Sequence, residues 1–214
     1  VVLAMCFCVY KALLTEELDR FPHWFVGELL GHAVAPPDRE RLGALWHLLL
    51  ASAGEQPRVL VHRDFHSRNL MLVGDGELAV IDFQDAVIGP VTYDLVSLLK
   101  DCYIRWPQAR VRAWALSHRD ALQHAGHIEP VSDDRFLRWF DWMGLQRHIK
   151  VLGTFSRLYL RDGKSAYLQD LPLVVRYVRD VAAAYAPREP AFAAFSDWFD
   201  TTLADRIATQ AWSA

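Results

Sequence analysis

A run of polar residues near the middle of the chain, His62–Asn69, lies between two short apolar segments. The stretch "VHRDFHSRNLM" contains two histidines, two arginines, an aspartate and an asparagine, in a chain that is 52% hydrophobic. A solvated turn is the ordinary interpretation of such a cluster. The spacing H-x-D-x-x-x-x-N, with Asp64 and Asn69, instead indicates a loop that carries chemistry and is held between two strands.

The composition indicates a folded chain without a large charge excess. Its 214 residues carry a net charge of −3 and have a pI near 6.3, so no basic surface favours nucleic acid or an anionic membrane as a partner. Cys6, Cys8 and Cys102 form no CxxC pair and fit reduced thiols, which predicts a cytoplasmic protein. We expect one domain over residues 1–214, because no repeat or linker interrupts the chain.

The first ten residues are almost wholly apolar but lack a basic segment and a cleavage site, and they are too short to span a bilayer. A buried strand or the start of a helix is expected there. Within the domain, we assign residues 1–14 to an irregular or truncated start.

Helical periodicity dominates both ends of the chain, with a small β element between them. Residues 15–31 are predicted to be helical with an interruption at Pro22, and residues 36–53 form a second helix that ends before Gly54. Short strands are predicted over residues 58–62, 69–73 and 77–83, the last two joined by a turn at residues 74–76. Helices follow over residues 92–106, from Pro107, over residues 132–163, and around Val174 and Phe195. The predicted fold class is α+β, mostly helical, with a small central β-hairpin.

Asp82, in "VIDFQD", follows Asn69 by thirteen residues and completes a set of three oxygen-bearing side chains. A hairpin of this length folds Asp82 back beside Asn69, where a carboxylate and an amide oxygen can share Mg²⁺ ions that bridge nucleotide phosphates. Asp64, on the preceding loop, can accept a hydrogen bond from an acceptor hydroxyl and align it. This order of residues is typical of phosphoryl transfer on the protein-kinase-like fold. We therefore predict Asp64 as the catalytic residue, Asn69 and Asp82 as metal ligands, and Mg²⁺ and ATP as cofactors.

Three blocks of sequence resemble the aminoglycoside-phosphotransferase-type kinases, over roughly residues 18–200: "HRDFHSRNLM", "VIDFQDAVIGPVTYDLVSLLKDCYI" and "WFDWMGLQRHIKVLGTFSRLYLRDGKSAYLQDLP". The narrower blocks "DFQDAVIGPVTYD" and "MGLQRHIKVLG" are most similar to bacterial sugar kinases of cell-wall recycling. The resemblance implies transfer of the ATP γ-phosphate to the anomeric hydroxyl of N-acetylmuramate or N-acetylglucosamine. ATP and an amino sugar are then the expected partners, and the oligomeric state stays open.

The same resemblance suggests roles for the residues around the catalytic loop. His62 is expected to orient the loop. His66 lies where protein kinases carry a lysine that helps neutralise the transferred phosphoryl group, and a simple loop histidine is an equal alternative. Arg63 and Arg68 are interpreted as structural or solvent-facing. Asp94 is expected to brace the loop, which is compatible with an aspartate favoured by the dipole of the helix it opens.

An N-terminal lobe of such a kinase would carry a glycine-rich loop and a strand lysine. G-x-G-x-x-G occurs nowhere in the sequence, and Lys11 lies too few residues before His62, so Lys11 is interpreted as a surface lysine. We therefore expect the C-terminal lobe of a protein-kinase-like fold. Its catalytic and metal-binding loops lie in residues 61–85, and residues 92–214 form a helical substrate-binding part.

Basic residues recur at three- and four-residue spacing on a later helix, namely Arg147, Lys150, Thr154, Arg157 and Arg161. A solvated basic face is the plain interpretation. The alternative is that Arg147, Lys150 or Arg157 binds an anionic group of the acceptor, such as the lactyl carboxylate of N-acetylmuramate, by charge-assisted hydrogen bonds.

Two other functions stay open at this point. The same mechanism could serve an aminoglycoside or another small alcohol, although a cationic acceptor would favour carboxylates and aromatics where this helix carries basic residues. A pseudokinase-like module that binds a sugar or a partner without turnover is the alternative of a different class.

Overall fold

The computed structural model describes the backbone of residues 2–213 and the side chains of residues 10–213. Its α-helices are α1 (Val2–Arg20), α2 (Pro36–Glu55), α3 (Tyr93–Leu99), α4 (Gln108–His124), α5 (Asp133–Leu160), α6 (Leu171–Tyr185), α7 (Pro190–Trp198) and α8 (Ala204–Ala208). Its strands are β1 (Arg58–Val61), β2 (Leu70–Val73), β3 (Glu77–Val80) and β4 (Val87–Pro90). Shorter segments are π-helical (Phe21–Leu29 and Phe199–Leu203) or 3₁₀-helical (Ser67–Asn69 and Ser165–Asp170). The predicted class, α+β and mostly helical, is confirmed.

The strands form two separate antiparallel pairs. In the first, β2 and β3 make the predicted hairpin, in register from Leu70↔Val80 to Val73↔Glu77. In the second, β1 pairs with β4, from Arg58↔Pro90 to Val61↔Val87. The sequence analysis missed β4, because a four-residue segment that contains glycine and ends in proline has a weak strand signature.

Several predicted boundaries need correction. The expectation of an irregular start is wrong for residues 2–14, which belong to α1, and Val1 lies outside the described residues. Gly54 lies inside α2 rather than beyond its end. The helix predicted over residues 92–106 ends at Leu99, and an irregular segment then leads to Pro107, the residue before α4.

The chain divides into two compact units. One comprises Val1–Tyr10 and Ser52–Gly144, and the other comprises Lys11–Ala51 and Leu145–Ala214. The expectation of a single domain stays a prediction. No helix among the described residues combines the length and the apolarity that a membrane crossing needs.

The unit that contains Ser52–Gly144 has its core beneath the β1–β4 pair. Val61 from β1 and Val96 from α3 are fully buried. The apolar side chains that recur at helical spacing in early α5 are all buried, namely Phe136, Trp139, Phe140 and Met143. Trp142 is only 3% exposed and therefore also belongs to this core.

The other unit is organised around Phe21, which is fully buried. Its ring contacts the rings of Phe25, Trp46, Phe195, Trp198 and Phe199, with centroid distances of 5.5–6.5 Å. Pro22 lacks an N–H group, so the α-helical hydrogen-bond pattern cannot continue through it, and the chain changes there from α1 to a π-helical segment. The predicted interruption at Pro22 is therefore confirmed.

Gly153 on α5 lies directly against the backbone where α1 ends. A Cβ atom at Gly153 would lie 2.5 Å from the carbonyl carbon of Arg20 and 2.6 Å from the nitrogen of Phe21. Gly43 on α2 is exposed, and a Cβ atom there would meet nothing within 4 Å. Both glycines lie within helices, but only Gly153 lacks room for a methyl group.

We predict that Gly153→Ala lowers the free energy of unfolding by about 1–3 kcal/mol, because the methyl group overlaps backbone atoms that cannot move independently. The matched control, Gly43→Ala, should leave stability unchanged or raise it by about 0.5–1 kcal/mol through helix propensity. Urea denaturation followed by circular dichroism measures both. Equal effects of the two substitutions would contradict the close contact.

Candidate active site

The polar loop after β1 closes into a hydrogen-bonded turn. The backbone N–H of His66 donates to the carbonyl of Asp64 at 3.0 Å, and that of Asn69 donates to the carbonyl of His66 at 2.9 Å. The side-chain amide Nδ2 of Asn69 also donates to the Asp64 carbonyl, at 2.9 Å. Donation by Nδ2 fixes the orientation of the Asn69 amide. The turn thus ties the backbone of Asp64 to the side chain of Asn69.

The hairpin brings Asp82 back towards this turn. The N–H of Ile81 donates to the carbonyl of Asn69 at 3.1 Å, directly beyond the last pair of the β2–β3 register. Asp82 is therefore the next residue after the one that pairs with Asn69, as the spacing predicted. Its backbone has φ of 68°, a left-handed conformation that is uncommon for residues other than glycine and is concentrated at functional sites.

Asp94, in the first turn of α3, holds the start of the loop. Its carboxylate accepts the backbone N–H of His62 at 2.6 Å and that of Arg63 at 3.0 Å. Arg63 has φ of 76°, so the carboxylate supports a backbone conformation that an L-residue seldom adopts. The ring Nε2 of His62 lies 2.9 Å from the carbonyl oxygen of Ile81 and donates to it. His62 and Asp94 together link β1, the Asp64–Asn69 turn (the candidate catalytic turn) and the end of the hairpin.

A second carboxylate, Asp101, was missed by the sequence analysis. It is 3% exposed, and its Oδ2 accepts hydrogen bonds from Ser67 N at 3.1 Å and from Ser67 Oγ at 2.6 Å. Its Oδ1 accepts the N–H of Tyr103 at 3.3 Å. The only sequence signal was an aspartate in the "KDCY" segment after α3, because the pairing with Ser67 spans 34 residues and has no local pattern.

The donor set at the turn and hairpin fits a magnesium ion that is held largely by a nucleotide. Asp82 offers a carboxylate, one oxygen of which accepts Gln84 Nε2 at 2.6 Å. The amide orientation of Asn69 leaves its oxygen available as a ligand. Among the described residues, no group of three or more His, Cys, Asp and Glu could hold a metal by itself. Mg²⁺ commonly binds through one or two protein carboxylates together with substrate phosphates, so a sparse donor set is the expected one.

Apolar side chains around Asp82 are unusually exposed. Phe83 is 68% exposed, and Leu72 and Leu78 of the hairpin are 75% and 67% exposed. Leu60 on β1 is 71% exposed. Leu72 and Leu78 are paired across the hairpin, and exposed apolar groups that adjoin one another usually mark a binding surface. The surface next to Asp82 is therefore suited to a ligand with an apolar face.

The three predicted substrate-binding residues, Arg147, Lys150 and Arg157, belong to the other compact unit. Arg147 is only 6% exposed, so a solvated basic face is the wrong interpretation for it. Lys150 Nζ lies 3.0 Å from Oε1 of the fully buried Glu17 and forms an ion pair with it. Burial, and then the nearby guanidinium group of Arg20, lower the pKa of Arg157 from its usual value. Lys150 therefore has a carboxylate partner within the unit, whereas Arg157 experiences repulsion from like charge.

The part of the sequence that forms the loop, the hairpin and α3 also matches a known protein family. The sequence profile of the phosphotransferase enzyme family (APH) matches residues 10–139, which include the whole turn and hairpin. The chain therefore belongs to the phosphotransferase enzyme family. The resemblance stated from the sequence motifs is confirmed.

Three curated relatives are similar to most of this chain, and each is named N-acetylmuramate/N-acetylglucosamine kinase. The protein of Neisseria meningitidis serogroup B is 43% identical over 183 residues, which are 86% of this chain and 54% of that protein. The Pseudomonas putida protein is 45% identical over 79% of this chain and 50% of its own length. The Pseudomonas aeruginosa protein is 44% identical over 81% of this chain and 51% of its own length. The chain thus spans about half the length of the curated relatives it matches.

We predict that Asp94→Asn lowers the free energy of unfolding by about 1–3 kcal/mol, because the asparagine NH₂ would face one of the two backbone N–H groups that the carboxylate now accepts. Hydrogen exchange of the His62 and Arg63 amides should become faster. The control Asp75→Asn, in the exposed hairpin turn, should change stability by less than about 0.5 kcal/mol. Unchanged exchange at both amides in Asp94→Asn would show that the carboxylate does not hold the loop.

Proposed function

We propose that the protein carrying this chain is an ATP-dependent kinase that phosphorylates an amino sugar, specifically the anomeric hydroxyl of N-acetylmuramate or N-acetylglucosamine in peptidoglycan recycling. The observation that carries the proposal is the arrangement of Asp64, Asn69 and Asp82 on one turn and one hairpin. The names of the three relatives support the acceptor class. The single domain over residues 1–214 and a cytoplasmic location, where ATP is available, form part of the proposal.

Asp64 is the proposed catalytic residue. Its carboxylate would accept a hydrogen bond from the sugar hydroxyl and direct the oxygen in line with the γ-phosphorus. Phosphoryl transfer passes through a loose transition state, so orientation and charge stabilisation contribute more than a strong base. The carboxylate can then take the proton late in the reaction. The turn that binds the Asp64 carbonyl to Asn69 fixes the position from which it acts.

Asn69 and Asp82 are the residues that would hold Mg²⁺, and the ion would neutralise charge on the nucleotide phosphates. His62 acts indirectly, because its ring donates to the carbonyl of Ile81, the residue before Asp82. Asp94 supports the same loop from α3. His66 lies two residues beyond Asp64 and is proposed to face the transferred phosphoryl group.

The exposed apolar surface beside Asp82 is proposed to contact the nucleotide. Phe83 directly follows Asp82 in the chain, and Leu72 and Leu78 extend the surface along the hairpin. An adenine ring has apolar faces that such side chains can cover, while its phosphates require Mg²⁺ and the polar turn. This division matches the usual composition of a nucleotide pocket, largely apolar with a few polar groups that fix orientation.

Contacts to the acceptor are proposed from the helical part of the chain. Among the three basic residues predicted on α5, Arg157 is the one proposed to bind an anion. Burial, followed by the guanidinium groups of Arg20 and Arg161, lowers its pKa, with Asp162 and Glu16 acting in the opposite direction, so an added anion would stabilise its charged form. Lys150 already has its charge balanced by Glu17. Arg147 lies within the core and would need the acceptor to reach a buried position.

We predict that Asp64→Asn lowers kcat with N-acetylmuramate or N-acetylglucosamine about 10²–10⁴-fold, the range typical of lost general-base catalysis, with little change in the KM for ATP. The measurement is release of ADP by the product of the complete gene. Asp75→Asn, an exposed carboxylate in the hairpin turn, serves as the matched control and should retain full activity. Undiminished turnover in Asp64→Asn would refute the role of Asp64.

The position of the reacting hydroxyl has its own test. Phosphorylation at the anomeric carbon removes the reducing end of the sugar, so reducing-sugar reactivity should fall in step with ADP release. Borohydride-reduced sugars, which lack an anomeric hydroxyl, should not be phosphorylated. Equal turnover of the reduced sugars would move the reaction to another hydroxyl. If only cationic aminoglycosides were phosphorylated, an aminoglycoside would replace the amino sugar as the proposed acceptor.

A further inference from the structure

Arg68 lies between the catalytic aspartate and the predicted metal ligand, in the 3₁₀ turn Ser67–Asn69, and its side chain is exposed. Its guanidinium carbon lies 3.5 Å from the ring centre of Tyr103. Stacking on an aromatic face restricts the plane of the guanidinium group and leaves the N–H donors at its edge directed outward. Arg68 is therefore held in place rather than extended freely into solvent.

The partner ring is itself held against the catalytic turn. The buried carboxylate of Asp101 accepts from Ser67, the neighbour of Arg68, and from the backbone N–H of Tyr103. The ring of His66 meets the ring of Tyr103 edge-on, with centroids 5.7 Å apart. These contacts fix Tyr103 beside the turn, so the stacked Arg68 has a defined position on the turn that carries Asp64.

The charge of Arg68 is not balanced locally. Among the side chains of residues 10–213, Arg68 forms no ion pair. Other basic groups in the same unit do: Lys100 pairs with Asp141 at 2.7 Å, Arg119 with Asp133 at 2.6 Å, and Arg138 with Glu55 at 2.7 Å. The carboxylate of Asp101, which holds Ser67, accepts its hydrogen bonds from Ser67 and Tyr103. A fixed guanidinium group without a carboxylate partner, beside the catalytic loop, is suited to bind an anion from outside the chain.

We propose that Arg68, positioned by Tyr103, binds a carboxylate group of the acceptor and so makes the enzyme prefer carboxylated amino sugars over neutral ones. This inference rests on the proposed function and assigns the choice of acceptor to a residue of the catalytic turn. The planar fork of the guanidinium group can donate two parallel hydrogen bonds to a carboxylate, which a lysine cannot reproduce. A cationic acceptor would instead be repelled from the same position.

The basic residues of α5 are the competing candidates for this anion, and Arg157 is the strongest of them. Arg68 differs from Arg157 in lying on the loop that carries Asp64, so its distance from the reacting hydroxyl is set by the turn itself. The two assignments make opposite predictions for single substitutions, which allows one experiment to separate them.

The experiment compares N-acetylmuramate with N-acetylglucosamine, which lacks the lactyl carboxylate, as substrates of the product of the complete gene. We expect Arg68→Gln to lower the ratio of kcat/KM for the carboxylated sugar to that for the neutral sugar about 10- to 100-fold, chiefly through KM. Arg68→Lys should give an intermediate loss, because it keeps the charge but not the fork. Tyr103→Phe keeps the aromatic face and should preserve the ratio, whereas Tyr103→Leu should lower it.

An unchanged ratio in Arg68→Gln, whether kcat/KM falls equally for both sugars or for neither, would overturn the proposal. A selective loss in Arg157→Gln but not in Arg68→Gln would move the anion site to α5. Calorimetric titration with each sugar separates this inference from the proposed function, because it needs no turnover. Tighter binding of the carboxylated sugar that disappears in Arg68→Gln supports the inference even if neither sugar is phosphorylated. Equal binding of the two sugars by the unmodified protein refutes it.

Discussion

The carboxylate of Asp94 holds the backbone on which the candidate site depends. It accepts two consecutive N–H groups, from His62 and Arg63, directly before Asp64, the proposed catalytic residue. Arg63 has a left-handed backbone that costs an L-residue about 1–2 kcal/mol, and a charge-assisted pair of hydrogen bonds can offset that cost. Without the Asp94 carboxylate, the backbone of His62 and Arg63 would lose the hydrogen bonds that orient the turn carrying Asp64.

The rest of the site is arranged around this support in two directions. The hairpin carries Asp82 back to Asn69 through the Ile81–Asn69 hydrogen bond, and Asp101 holds the other end of the turn through Ser67. Both bracing carboxylates come from α3 or the segment after it, whose inner face is buried. The hairpin itself buries little apolar surface. The structure thus combines a firmly held loop with a hairpin that has few contacts of its own and an exposed apolar surface for a ligand.

The second compact unit shows why a row of basic residues is weak evidence for a binding face. Glu17 is fully buried, and its two oxygens are matched by Lys150 at 3.0 Å and by Gln146 Nε2 at 3.1 Å. Removing one member of such a pair would leave an uncompensated buried charge, which costs several kcal/mol. The contact of Lys150 with Glu17 is therefore structural. A cation becomes informative about ligands when it is held in place without a carboxylate partner, as Arg68 is by Tyr103.

The sequence alone determined the class of the fold, the β2–β3 hairpin and the order Asp64, Asn69, Asp82, because these follow from periodicity and short-range spacing that local backbone geometry imposes. Tertiary structure alone decided that β1 pairs with β4 and that Asp101 holds the turn through a residue 34 positions away. It also decided that Lys150 pairs with Glu17, while Arg68 pairs with no carboxylate among the described side chains. Hydrogen bonds and ion pairs between distant residues leave no period in the sequence, since their partners are chosen by how the helices pack.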